Sequence, residues 1–270
     1  MKKLLVILLL IGNAALAQKY TTKKDVAYYA DNAGDAYRTE RCKLDIYYPV
    51  GVKNFATVVW FHGGGITGGN KEIPKALTEK GFAVVGVGYR LSPQAKAPAY
   101  IEDAAAAIAW VFQHIAEYGG DNKLVIVTGH SAGGYLGMMA TLDKKYLQKY
   151  NIDANRIAEL VPFSGQCITH FTVRQERGIK DTQPIIDEYA PLYHVRADAP
   201  PMLLITGDRE MELLGRYEEN AYMLRMMKLT GHKQTRLFEL QGFDHGGMAE
   251  PAFPLLIKEV RARVKDIMGK

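Results

Sequence analysis

Residues 123–141 read Lys-Leu-Val-Ile-Val-Thr-Gly-His-Ser-Ala-Gly-Gly-Tyr-Leu-Gly-Met-Met-Ala-Thr. A short, nearly continuous apolar run of this kind suits a strand buried on both faces. It leads directly into Gly129-His130-Ser131-Ala132-Gly133, a G-x-S-x-G sequence, and then into a segment of helical period. In that setting the motif forces a sharp strand-to-helix turn with the serine at its apex. The glycines permit the reversal, Ser131 is left exposed at the strand's C-terminal end, and the positive end of the following helix points at any anion formed beside it. Such a turn belongs at the C-terminal edge of a parallel sheet, so the rest of the chain is expected to supply one.

The remaining sequence does alternate as required. β-Branched or apolar runs occur at 42–48, 56–61, 82–88, 123–129, 157–163, 201–206 and 235–240, and helix-period segments at 72–80, 100–117, 132–141, 216–230 and 253–268. In the last of these, Ile257, Val260, Val264 and Ile267 recur at helical spacing, with Lys and Arg on the other face. Gly81 and Gly231 stand where helix C-caps are expected. This alternation predicts an α/β fold: a mostly parallel sheet with helices on both faces. Residues 18–53 read as antiparallel strands at one edge. The long irregular stretch 166–200, between the sixth and seventh strands, is expected to be functional, as a short lid-like insertion.

Residues 1–17 have the form of a secretory signal peptide: Lys2 and Lys3, the apolar run 4–11, and Ala15-Leu16-Ala17 as a cleavage site. The apolar run is far shorter than the roughly 20 residues of a spanning helix. The expectation is a periplasmic or secreted protein with one catalytic domain over 18–270 and no stable membrane insertion after cleavage. The net charge is only +5, two of the positives being Lys2 and Lys3, which argues against a nucleic-acid partner. The oligomeric state is left open. Two cysteines, Cys42 and Cys167, have no metal-like spacing. Export permits a disulfide between them, though two buried thiols are the simpler expectation.

Three further motifs complete the chemistry. His62-Gly63-Gly64-Gly65 follows the strand Val58-Val59-Trp60-Phe61. A tetrahedral oxyanion needs preorganised N–H donors, and the bare backbone of Gly64 and Gly65, with the N–H of Ala132 opposite, offers them; His62 is expected to brace the loop. His245 follows the last strand, where a general base for Ser131 belongs in the chain order Ser, acid, His. The acid that orients it should come just after the preceding strand, where Asp208, Glu210 and Glu212 all stand. Spacing favours Glu210, with Asp208 the alternative and Glu212 third.

With these motifs in order, the chain resembles the hormone-sensitive-lipase-like branch of the α/β-hydrolases, and more closely the bacterial feruloyl- and acetyl-carbohydrate esterases. The resemblance spans nearly all of residues 18–270 and includes Leu44-Asp45-Ile46-Tyr47, residues 62–65, Tyr89-Arg90-Leu91, Asp103, Trp110, Gly119-Gly120-Asp121, residues 129–134, Ala199-Pro200-Pro201, Leu203-Leu204 and His245. It implies cofactor-free, metal-free hydrolysis of short acyl or aromatic esters, on small molecules or oligosaccharides. Ile66 stands where such esterases often carry Trp, and Glu210 where Asp is commoner. Rival readings are an arylformamidase-like amide hydrolase, a general carboxylesterase or lipase, a peptidase, and a non-catalytic hydrolase-fold binding module. Within 166–200, Phe171 and Arg174 are expected to govern substrate choice in favour of acetyl or aromatic acyl groups.

Overall fold

The computed structural model describes residues 18–30 and 34–269. The leader expected at 1–17 therefore lies outside the described residues. In chain order the elements are β1 (Tyr20–Ala27), α1 (Ala36–Arg41), β2 (Lys43–Pro49), β3 (Phe55–Phe61), β4 (Ala83–Val87), α2 (Ala99–His114), β5 (Gly120–His130), α3 (Ala132–Leu142), α4 (Lys145–Gln148), β6 (Glu159–Phe163), α5 (Phe171–Glu176), β7 (Met202–Gly207), α6 (Arg216–Leu229), β8 (Thr235–Leu240) and α7 (Ala249–Met268). The strands form one sheet in the order β1-β2-β4-β3-β5-β6-β7-β8. β1 and β2 are antiparallel to their neighbours, as expected of the N-terminal edge. Every later pairing is parallel.

Strand periodicity divides the core. Val59, Phe61, Val125, Val127, Leu160 and Leu204 face a layer containing buried residues of α2, α3 and α6. Their chain neighbours Val58, Trp60, Leu124, Ile126, Val161 and Leu203 face Ala252, Phe253, Leu256 and Val260 of α7. Alternate side chains on a strand point to opposite faces, and both faces of these strands are covered. A central strand covered on both faces has no polar side to show, which is why the middle strands read as unbroken apolar runs.

Two local expectations are corrected. The helix expected at 72–80 is only a 3-10 turn, Lys75–Leu77. Pro74 biases Ile73 away from helical backbone, and Glu79 adopts a left-handed φ of 60°, which stops the turn. Gly81 has φ 89° but caps no helix, whereas Gly231, φ 95°, follows the last turn of α6 as expected. Residues 166–200 hold α5 and a 3-10 turn, Pro191–His194, and much of the segment is packed: Cys167, Thr169, His170, Val173, Ala190 and Leu192 are buried. Cys42 and Cys167 are both buried and free, so no bridge joins them.

The register brings the strand ends into line. Phe61 pairs with Gly129, His130 with Phe163, Phe163 with Ile205 and Gly207 with Leu240. The segments that follow β3, β5, β6, β7 and β8 therefore emerge along one edge of the sheet, and they carry every residue of the site.

Candidate active site

The turn after β5 is built by exclusion. A Cβ on Gly133 would stand 2.0 Å from the carbonyl oxygen of Phe61, and one on Gly129 2.6 Å from the same oxygen. Only glycine admits this approach of β3 to the turn. Ser131 sits at φ 54°, ψ −114°, an uncommon conformation for a residue with a side chain, of the kind that persists where the surroundings over-determine it. Its N–H donates to the carbonyl of Phe163 at 2.8 Å, tying the turn to the end of β6.

His245 reaches the serine. Its Nε2 lies 2.9 Å from Ser131 Oγ, and its Nδ1 lies 2.8 Å from Glu212 Oε2. The expected acid is thus corrected: the carboxylate on the imidazole is Glu212, neither Glu210 nor Asp208. Asp208 is spent on the loop. Its carboxylate accepts the N–H of Glu210 at 3.0 Å and that of Gly242 at 2.8 Å, and its carbonyl accepts the N–H groups of Met211 and Glu212. The tight turn so formed places the Glu210 side chain in solvent and brings Glu212 beneath His245.

Four hydrogen bonds fix the Glu212 carboxylate. Oε1 accepts the Ser164 hydroxyl at 2.6 Å and the Gly207 N–H at 2.8 Å. Oε2 accepts the His245 ring N–H and the Leu213 N–H at 3.1 Å. Burial raises the pKa of this group, but the bonds from His245, Ser164 and Gly207 outweigh it and hold the carboxyl at about 2. Ser164 also lies 3.0 Å from His245 Nδ1 and occupies a left-handed φ of 47°. Nothing in the sequence marked Ser164, since only the β6–β7 register brings it beside Glu212.

His130, inside the motif, donates from Nε2 to the backbone carbonyl of His245 at 2.8 Å, which joins the serine turn to the histidine loop. Burial, reinforced by the neighbouring His245, lowers its pKa to about 4. That keeps it a neutral brace.

The glycine loop stands against this turn. A Cβ at Gly63 would lie 3.1 Å from His130 Nδ1 and 3.6 Å from Ser131 Cβ. Gly64 and Gly65 have φ of 107° and 63°, and their N–H groups donate to no partner among the described residues. The N–H of Ala132, first residue of α3, is one of those a helix leaves unpaired. His62 braces the loop as expected: its Nδ1 donates to Gly63 O at 2.7 Å, and its ring stacks on Tyr89 at 4.3 Å. The Tyr89 hydroxyl donates to His62 O, and the adjacent Arg90 is clamped by the buried Asp103. The Tyr-Arg pair noted in the sequence is thus the loop's support.

An eight-stranded, mostly parallel sheet with a serine turn after β5 and a histidine loop after β8 defines the α/β-hydrolase fold. The BD-FAE family model matches residues 44–167, which takes in the glycine loop and Ser131 but not Glu212 or His245. Among curated relatives, the "Probable carboxylic ester hydrolase LipM" of Mycobacterium tuberculosis is 32% identical over 54% of this chain and 39% of its own length. Esterase LipC of the same organism is 25% identical over 85% of this chain and 60% of its own. The chain thus spans between about two fifths and three fifths of these two relatives. A truncated carbohydrate esterase from gut microbiota superposes with a TM-score of 0.74 over 92% of this chain and 97% of that one, at 20% identity, a likeness of fold. The chain is thus similar to esterases, and its fold is that of the α/β-hydrolases.

Proposed function

We propose that this protein is a serine carboxylic-ester hydrolase acting through Ser131, His245 and Glu212. The observation that carries the proposal is the unbroken hydrogen-bonded line from Ser131 Oγ through the imidazole to Glu212, set beside unpaired N–H groups of Gly64, Gly65 and Ala132. His245 Nε2 takes the hydroxyl proton as Ser131 Oγ attacks the ester carbonyl. The resulting oxyanion is held by the three N–H groups. Collapse breaks the bond to the alcohol, which leaves with the proton returned by His245, and an acyl-enzyme remains. Water, deprotonated by the same nitrogen, then frees the acid. Throughout, Glu212 keeps Nδ1 protonated and stabilises the imidazolium.

Short acyl or aromatic esters on carbohydrates are the proposed substrates, and the aromatic and hydrogen-bonding side chains of 166–200 support that reading. Export is part of it, on the strength of Lys2, Lys3, the apolar run 4–11 and Ala15-Leu16-Ala17. The test is labelling of Ser131 by a fluorophosphonate, with turnover of a p-nitrophenyl acyl series, acetylated xylan and methyl ferulate beside N-formylkynurenine. Hydrolysis of short esters well above the formamide is expected. Failure to label Ser131 would sink the mechanism, and preference for N-formylkynurenine would make the protein an amide hydrolase. Fractionation and N-terminal sequencing should find the exported chain starting at Gln18.

A further inference from the structure

Beside the triad lies a cavity of about 210 Å³ whose lining includes Phe171, Arg174, Asp181, Leu213, Leu214 and Arg216. It is small against the roughly 300–1,000 Å³ that encloses a whole drug-sized ligand, so it suits one end of a substrate. Its walls are continuous with the catalytic groups. The Phe171 ring reaches within 3.0 Å of where a Gly65 Cβ would stand, and Thr172 donates its hydroxyl to Gly65 O at 2.5 Å. On the other side Leu213 follows Glu212 and donates its N–H to that carboxylate.

Two arginines face this space, and both are 2% exposed. Each guanidinium is anchored by one backbone carbonyl, Arg174 Nη1 on Gln183 and Arg216 Nη1 on Ser164. In each the Nε is buried without a hydrogen-bond partner, and neither residue makes a salt bridge among the described residues. Two carboxylates influence Arg174 from nearby, those of Glu219 and Asp181, and Glu219 also acts electrostatically on Arg216. Glu219 is engaged elsewhere, accepting the N–H of Cys167 at 2.8 Å and the Gln166 amide at 3.3 Å. Asp181 is exposed at the rim. The buried Glu219 thus offsets one of the two positive charges without forming an ion pair with either, and the remaining buried positive charge is costly unless a further anion joins it.

We infer that this cavity is an anion subsite, and that the preferred ester carries a carboxylate which the guanidinium groups of Arg174 and Arg216 receive while the ester carbonyl sits at Ser131. Planar guanidinium groups match a carboxylate in shape and charge. The inference rests on the proposed hydrolase reading and names its substrate class. The carboxylate can belong to the acyl part or to the alcohol part, for instance a uronic acid.

Two matched pairs test it. 4-Nitrophenyl hemisuccinate against its methyl ester probes the acyl side, and acetylated glucuronic acid against acetylated glucose probes the alcohol side. In one pair kcat/KM should favour the anionic member by about tenfold or more, the scale of a hydrogen bond to a charged group. Arg174→Gln should cut that ratio several-fold and Arg174→Lys should restore part of it. Asp181→Asn, a change at an exposed rim, should raise the ratio without touching the core, so a poorly folding Arg174 variant does not end the test. Fluorophosphonate labelling of Ser131 and turnover of 4-nitrophenyl acetate report on the hydrolase reading separately. An enzyme that labels and hydrolyses the acetate but favours neither anionic ester overturns the subsite. So does a preference unchanged in both Arg174→Gln and Asp181→Asn.

Discussion

The two halves of the site are held by different forces. Around Ser131 the positions are set by backbone contact: Gly129, Gly133 and Gly63 all stand where a Cβ would press on Phe61, His62, His130 or the turn itself. Around His245 they are set by hydrogen bonds between side chains and loop amides: Glu212 with Ser164, Gly207 and Leu213, Asp208 with Glu210 and Gly242, His130 with His245. Steric exclusion admits one residue type at one position and writes itself into the sequence. A hydrogen-bonded loop can in principle recruit any of several carboxylates, so its choice is visible only once the chain has turned.

The largest expected effect removes the nucleophile. Ser131→Ala should lower kcat by roughly 10⁵–10⁶, the scale for losing a triad serine, with an unchanged melting temperature. Ester turnover within tenfold of wild type would take Ser131 out of the mechanism. The comparison is tested more sharply on the other half. Glu212→Gln should cost about 10⁴ in kcat by leaving the imidazole in the wrong tautomer, while Glu210→Gln, on a solvated side chain, should change it by no more than about twofold on the same triad logic. The reverse ranking would show that the loop after β7 rearranges when substrate binds. A smaller effect is expected of Ser164→Ala, which deletes one of four bonds to Glu212. Such a bond to a charged group implies about a tenfold loss in kcat with KM unchanged. A loss confined to KM would move Ser164 from orienting the acid to binding substrate.

The same contrast explains what could be read in advance. The sheet, its parallel order and α3 follow from apolar runs and from a glycine motif that leaves little conformational choice. The glycine loop follows for the same reason, and His62 could be assigned as a brace because it precedes three glycines. The helix expected at 72–80 failed because Pro74 and Glu79 act on the backbone locally, against a periodicity that was present. The acid was missed by two residues, although Asp208 carried a legible signal: an aspartate directly after a strand-ending glycine commonly caps the following turn with its own side chain. Once Asp208 is spent in that way, the turn carries Glu210 outward and Glu212 inward. Ser164 and Arg216 had no such signal, because their partners lie on other strands and loops, at sequence distances no local pattern spans.

The smallest expected effect is a difference in how the two halves respond to acid. The Glu212 carboxyl is held at about 2, below its ordinary 4.5, because bonds to its charged form more than offset burial. A carboxyl whose folded pKa is depressed stabilises the fold above its unfolded pKa, and that contribution is lost as pH falls through the folded value. The contribution is therefore complete above about pH 4.5 and drains away toward pH 2. Glu212→Gln has no proton to gain there, so the melting temperature of wild type relative to this variant should be highest from about pH 5 upward and should fall as the solution is acidified. Ser131→Ala, which leaves the carboxylate and its four bonds in place, should keep a constant offset from wild type over the same range. Thermal melts of the three proteins between pH 3 and 7 decide the matter. An offset for Glu212→Gln that stays flat across the range would mean that the folded state does not favour the charged carboxylate, and the hydrogen-bonded half of the site would then owe its order to packing, as the glycine-built half does.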